Sequence, residues 1–235
     1  MRRLLVIYAA AATAVVAQLQ PVTGTINGVL AGEDGTALQG GSIVLHLMTK
    51  SLSRTGHQRT DWTTVTGAAG AFQFQGLPEG DYTLCPRVPN STWLNPCDWN
   101  FPTPAATITR PAPMASVNII LKRGAAVSVR INDPGQLLPQ SEGKTPGAGF
   151  LLGVSDSRPG SFFRLVPLVS QDATGRNHQT VIPLNTPLTL FVHPTFYHVN
   201  DAIGAPLSQG VTTKIPLLAV SGQQAAPVVF TVTGH

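Results

Sequence analysis

Charge is scarce in this chain of 235 residues: Asp, Glu, Lys and Arg together make up 11%, against about 25% in ordinary soluble domains. That shortage excludes a coiled coil, a charged helical bundle and an acidic disordered tail. Cysteine is limited to two residues. With no Cys-x-x-Cys or His-x-His beside them, they cannot complete a zinc shell. No apolar run reaches the roughly 20 residues of a membrane-spanning helix, and no stretch holds an apolar period of 3.6 for more than two turns. The basic residues are scattered and never alternate with aromatics in a run, so nucleic acid is not an expected partner. Glycine has no triplet repeat, which excludes collagen. What the chain has in quantity is turn formers, 23 Gly and 20 Pro, between short runs of Val, Thr, Ile, Leu and Ala. That combination describes strands separated by tight corners.

The N-terminus begins Met1-Arg2-Arg3 and continues from Leu4 to Ala17 without a charge, ending Val15-Val16-Ala17. A basic start, an apolar stretch and small residues before a cut describe a secretory signal peptide, assigned to residues 1–17. The alternative is a retained anchor. Cleavage takes the formal charge from +4 to +2, so the basic excess belongs largely to the leader. Export makes Cys85 and Cys97, 12 positions apart, an expected disulfide in an oxidising compartment. Two free thiols are the alternative.

From Val22 onward the pattern is short extended runs. Thr23 to Ala31 precedes the turn Gly32-Glu33-Asp34-Gly35, and Ser42 to Met48 alternates with Ile43, Leu45 and Leu47 on one face. Lys50 to Arg59 is a polar loop, and Asp61 to Thr66 a further strand. Gly67 to Gly70 turns into Phe72-Gln73-Phe74, and Leu77-Pro78-Glu79-Gly80 leads into Asp81 to Val88. An antiparallel sandwich of about seven strands follows from that spacing. Pro86 to Pro113 interrupts it with seven prolines, two tryptophans and Cys97. A segment so rich in proline is no central strand. It reads as a surface excursion tied down by the disulfide, with Ala106 to Thr109 as an edge strand.

Ser116 to Leu121 closes the first unit, and Lys122-Arg123-Gly124 runs straight into Ala126 to Ile131. Phe150 to Val154, Phe162 to Ser170, Thr180 to Leu184, Leu188 to His193, Val211 to Val220 and Pro227 to Thr233 continue as strands. The fold class expected is all-β: two consecutive antiparallel sandwiches after a signal peptide, at 18–123 and 124–235. A single larger, irregular β domain is the alternative.

The stretch Asn27-Gly28-Val29, then Gly35-Thr36-Ala37-Leu38-Gln39-Gly40-Gly41-Ser42-Ile43-Val44-Leu45, resembles the carboxypeptidase regulatory-like domain. This is a small transthyretin-like or prealbumin-like sandwich of exported bacterial proteins. The likeness continues through Thr64-Val65-Thr66, Gly70-Ala71-Phe72-Gln73-Phe74, Leu77-Pro78-Glu79-Gly80 and Asp81-Tyr82-Thr83-Leu84, and covers about residues 22–122. It departs at Gly67, where the family commonly has Asp, so that corner is expected to differ. The resemblance implies an accessory or surface domain and no catalytic group. It implies a carbohydrate-binding-like fold by analogy only.

The sequence carries no recognisable catalytic pattern. None of the six His residues starts a His-x-x-Glu or His-Glu-x-x-His element, and His193 and His198 have no carboxylate pair nearby in sequence. No Gly-x-Ser-x-Gly elbow exists. Gly143-Lys144-Thr145 lacks the first glycine of a phosphate loop and is followed by Pro146. No dense acidic loop offers the six to eight oxygens that calcium takes. No catalytic, metal or cofactor residue is therefore assigned. The candidate ligand-binding group is Trp93, Asn95, Asp98, Trp99 and Phe101 around Cys97. It reads either as a glycan platform of stacking rings and polar partners or as packing that covers the disulfide. The function expected is that of a non-catalytic, secreted, periplasmic or surface protein with a protein or glycan partner at the cell envelope. A carbohydrate-binding module and an accessory protein of a hydrolase or transporter are the alternatives.

Overall fold

A computed structural model describes residues 23–48, 61–99, 101–138, 149–156, 163–207 and 210–234. The leader at 1–17, the polar loop at 50–59 and the Gly143 segment lie outside the described residues. Nearly all regular structure is strand, since the helical residues described are two three-residue 3-10 turns, Ala68–Gly70 and Pro96–Asp98.

The first half has seven strands: β1 (Gly24–Gly32), β2 (Ser42–Met48), β3 (Asp61–Val65), β4 (Ala71–Leu77), β5 (Gly80–Arg87), β6 (Ala105–Ile108) and β7 (Met114–Leu121). They form one sheet in the order β4-β1-β7 and another in the order β3-β2-β5-β6. Period-2 alternation sends Ile43 and Leu45 of β2, Phe72 and Phe74 of β4, and Tyr82 and Leu84 of β5 into one core with Ile26, Leu30, Ile119 and Leu121. Burial of each such side chain contributes about 1.5–3 kcal/mol relative to leaving it exposed. The Tyr82 ring is buried, and its hydroxyl donates to the Pro78 carbonyl at 2.6 Å, closing the Pro78–Gly80 corner. Burial pushes this phenol up to about 12. The corner at Gly67 is a 3-10 turn in which Ala69 takes a left-handed conformation (φ 55°). Gly70 follows at φ 70°, and a Cβ there would collide with the Leu30 carbonyl oxygen.

One expectation is corrected. β1 and β4 are antiparallel, but β1 and β7 pair in parallel, from Thr25 opposite Met114 to Gly32 opposite Leu121. The sandwich is therefore mixed. Parallel neighbours need a long crossover, which here is the whole circuit of the sandwich. Nothing in the alternation of either strand marks the direction of its partner. The consequence is positional: β7 delivers the chain beside the end of β1, at the Gly32–Gly35 turn.

The second half contains β8 (Gly124–Asn132), β9 (Phe150–Asp156), β10 (Arg164–Leu165), β11 (Leu168–Asp172), β12 (Gly175–Pro183), β13 (Leu188–Pro194), β14 (His198–Asn200), β15 (Pro206–Leu207), β16 (Thr213–Leu217) and β17 (Val228–Gly234). The sheets run β10-β9-β13-β16 and β11-β12-β8-β17-β14-β15. The wiring repeats the first half. When β8, β9, β10, β12, β13, β16 and β17 replace β1 to β7 in order, each pairing recurs with the same sense. This includes the parallel pair of first and last strands, Val228 opposite Val129. β11, β14 and β15 are additions that widen one sheet from three strands to six.

The expected single strand at Phe162 to Ser170 is divided. β10 lies in one sheet and β11 in the other, because Pro167 has no N–H to continue a ladder. The core of this half holds Val127, Val129, Ile131, Leu152, Leu190, Val192, Phe230 and Val232, together with two residues from before β8, Leu94 and Trp99.

Candidate functional site

After β5 the proline-rich excursion turns away from its own sandwich. Cys85, on the outward side of β5 between buried Leu84 and Pro86, bonds Cys97, with Cα atoms 5.6 Å apart. The 3-10 turn carrying Cys97 starts where such turns favour starting: Asn95 Oδ1 accepts from the Cys97 N–H at 3.0 Å, and Pro96 occupies the first helical position. The disulfide holds this turn to the first sandwich. Leu94 and Trp99, on either side of Cys97, are 3% and 5% exposed and belong to the core of the second sandwich. The excursion thus bridges the two units covalently at one end and by apolar packing at the other.

The junction between β7 and β8 is two residues, Lys122 and Arg123, and both are gripped. On one side, the Leu94 N–H donates to the Lys122 carbonyl at 2.9 Å, and the Gly124 N–H donates to the Thr92 carbonyl at 2.8 Å. On the other, the Arg123 N–H donates to Glu33 Oε1 and its guanidinium to Asp34 Oδ2, both at 2.9 Å. That guanidinium also lies 4.3 Å from the centre of the Trp93 ring, and Lys122 Nζ lies 5.3 Å from the centre of Phe101. The Arg123 partner and the Thr36 amide hold the Asp34 carboxyl down at about 2. Gly124 is the close-approach point: a Cβ there would sit 2.7 Å from Leu94 Cδ2 and collide with the Ile182 carbonyl oxygen.

The sequence-predicted group is brought together, and each member has a neighbour. Trp93 is half-buried under Arg123. Asn95 is engaged by Cys97 N. Asp98 Oδ2 pairs with Arg164 at 2.7 Å and lies 3.9 Å from Arg87. Trp99 is buried, with the Arg164 guanidinium 5.0 Å from its ring centre. Phe101 packs on the second core. Burial pushes the Arg164 guanidinium down, and Asp98 opposes that shift. A cleft of ≈ 980 Å³ opens between the sandwiches over this group, with Arg87, Trp93, Asp98, Arg164, Leu165 and Val169 among its walls.

Three features were not singled out in the sequence. Arg176 and His178, both on β12, are 0% and 4% exposed. His178 Nδ1 lies 3.2 Å from the Val166 carbonyl, and burial pushes the imidazole down. Asp133 is buried at the end of β8, where its carboxylate accepts from the Leu137 and Leu138 N–H groups at 2.8 and 2.7 Å. The run Gly175-Arg176-Asn177-His178-Gln179 looks solvent-facing by composition, and only its pairing with β8 turns alternate residues inward. His193 Nδ1 lies 3.0 Å from Thr212 Oγ1, and His198 is exposed on β14. Among the described residues no group of three or more His, Cys, Asp or Glu is placed to hold a metal, and no helix is long and apolar enough to cross a membrane.

No protein-family model matches the chain, and no curated protein matches it. Solved structures similar to it include a streptococcal ancillary pilin, with a TM-score of 0.39 and 12% identity over 88% of this chain and 62% of that one. The minor pilin GBS52 of Streptococcus agalactiae has a TM-score of 0.37 and 11% identity over 90% of this chain and 96% of that one. The shaft pilin spaA of Lactobacillus rhamnosus GG has a TM-score of 0.30 and 12% identity over 91% and 99%. The chain spans less than two thirds of the first of these, and the likeness is one of fold alone.

Proposed function

We propose that this is an exported, non-catalytic structural and interaction protein in which two β-sandwich domains, 18–123 and 124–235, are held at a fixed mutual orientation. One observation carries this reading: the excursion is bonded to the first sandwich through Cys85–Cys97 and sends Leu94 and Trp99 into the core of the second. A two-residue junction gripped on both sides suits a protein that carries load or presents a surface at a set angle. The bonded cysteine pair and the leader-like N-terminus support passage into an oxidising compartment, and thus a secreted, periplasmic or surface location. The carboxypeptidase regulatory-like assignment of the first domain draws support from the buried Phe72–Phe74 pair and the Tyr82-to-Pro78 bond. Glycan stacking on the excursion is the weaker reading, since Trp99 is almost fully covered and Arg123 lies over Trp93.

Backbone 15N relaxation tests the fixed orientation. Both sandwiches should report one overall rotational diffusion tensor in the oxidised protein, and two once Cys85→Ser and Cys97→Ser are combined with Trp99→Ala. Independent tumbling in the unaltered, oxidised protein would overturn the reading.

A further inference from the structure

We propose that the cleft between the sandwiches is a docking site for an extended acidic peptide segment of a partner protein, one that carries aliphatic side chains between its carboxylates. The first observation is charge. Three arginines line the cleft, Arg87, Arg123 and Arg164, and one carboxylate, Asp98. Arg123 is taken by Asp34 at 2.9 Å and Arg164 by Asp98 at 2.7 Å. Arg87 has only a 3.9 Å approach to the same Asp98 oxygen, and its side chain is 71% exposed. Among the described residues, then, one guanidinium on the cleft wall has its donors largely uncommitted. A planar fork of this kind pairs best with a carboxylate taken bidentately.

The second observation is an apolar part of the lining. Leu165 and Val169 are 62% and 61% exposed, and both line the cleft. They flank the β10-to-β11 crossing at Pro167, where one sheet gives way to the other. Exposed aliphatic side chains that line the same cleft as Arg87 match a segment in which aliphatic and acidic residues alternate. A saccharide would want an open ring face to stack on. The indoles here do not supply one: Trp99 is 5% exposed, and Trp93 lies beneath Arg123. Asn90 and Gln179, which also line the cleft, add amide groups for a peptide backbone.

The site rests on the fixed orientation inferred above, because its walls come from both sandwiches. The test is fluorescence anisotropy of a fluorescein-labelled peptide of alternating Glu and Leu, titrated with the oxidised full-length protein at low salt. Saturable binding is expected. It should weaken about tenfold or more with Arg87→Glu, with a Gln-for-Glu peptide, and on raising the salt, since the pair is exposed and screened. Arg87 is a surface residue, and an unchanged thermal transition of Arg87→Glu would show that the variant folds. Absence of saturable binding, equal binding by Arg87→Glu, or tighter binding of oligogalacturonate than of the peptide would each overturn the assignment. Relaxation measured on the same sample separates the failures. A single diffusion tensor without peptide binding removes the docking site alone, and two tensors remove the fixed orientation as well.

Discussion

Leu94→Ala should destabilise the second sandwich, although Leu94 precedes it in the chain and lies on a segment bonded to the first. The side chain is 3% exposed and packs in the core with Trp99, Val127 and Ile182. Buried Leu-to-Ala changes cost about 2–5 kcal/mol, with the larger values where the site cannot collapse. Collapse is hindered here. Gly124, which faces Leu94 Cδ2, has no side chain to lend, and its backbone is held by the Thr92 carbonyl and by pairing with Pro183. A loss of about 3–4 kcal/mol follows. Hydrogen exchange read by mass spectrometry assigns the loss to a region. Peptides covering β8, β12 and β17 should lose protection, while those covering β1, β4 and β5 should keep most of theirs. A loss below about 1 kcal/mol, or one confined to β1–β7, would refute the bridging role of the excursion.

Two pH effects follow from buried titratable groups. His178 is held below its ordinary value by burial and, secondarily, by Arg176, against the opposing Val166 carbonyl. The unfolded chain therefore binds a proton that the folded chain resists, and stability should fall as pH drops below about 6.5. Urea midpoints across pH 7.5 to 4.5 should show this slope. His178→Met should flatten it whatever the variant's absolute stability, and an unaltered slope would count against the assignment. Tyr82 behaves in the opposite sense. With its phenol raised from 10.0 to about 12, the folded state keeps a proton that the unfolded state releases, so its contribution is full below pH 10 and declines as pH rises from 10 toward 12. Tyr82→Phe should cost about 1 kcal/mol at neutral pH through the lost bond to Pro78 and should remove the phenolate transition near pH 12 at 295 nm. A variant as stable as the parent would show that the corner does not depend on the hydroxyl.

Much of the first sandwich was legible because its signals are local. Alternation placed Ile43, Leu45, Phe72 and Phe74 inward, and Gly-rich corners bounded the strands. The disulfide was legible from compartment and spacing. In the candidate site the residues were legible but their partners were not. Trp93, Asp98 and Trp99 stand out by composition, yet the arginines that cover or pair with them, Arg123 and Arg164, come from 30 to 66 positions further on. An Arg on a short strand looks the same in sequence whether it meets water or an indole.

By itself the sequence determined the strand class, the corners, the pairing of Cys85 with Cys97 and the exclusion of the proline-rich segment from the central strands. Each depends on neighbours within a few positions or on a covalent constraint. Only the tertiary structure decided that β1 and β7, and again β8 and β17, run in parallel. It alone decided that the second half repeats the wiring of the first, and that Leu94 and Trp99 belong to the core of the other sandwich. Those outcomes depend on which apolar face meets which. Hydrophobic burial is non-directional and indifferent to sequence distance, so an apolar residue signals that it will be buried without signalling against what.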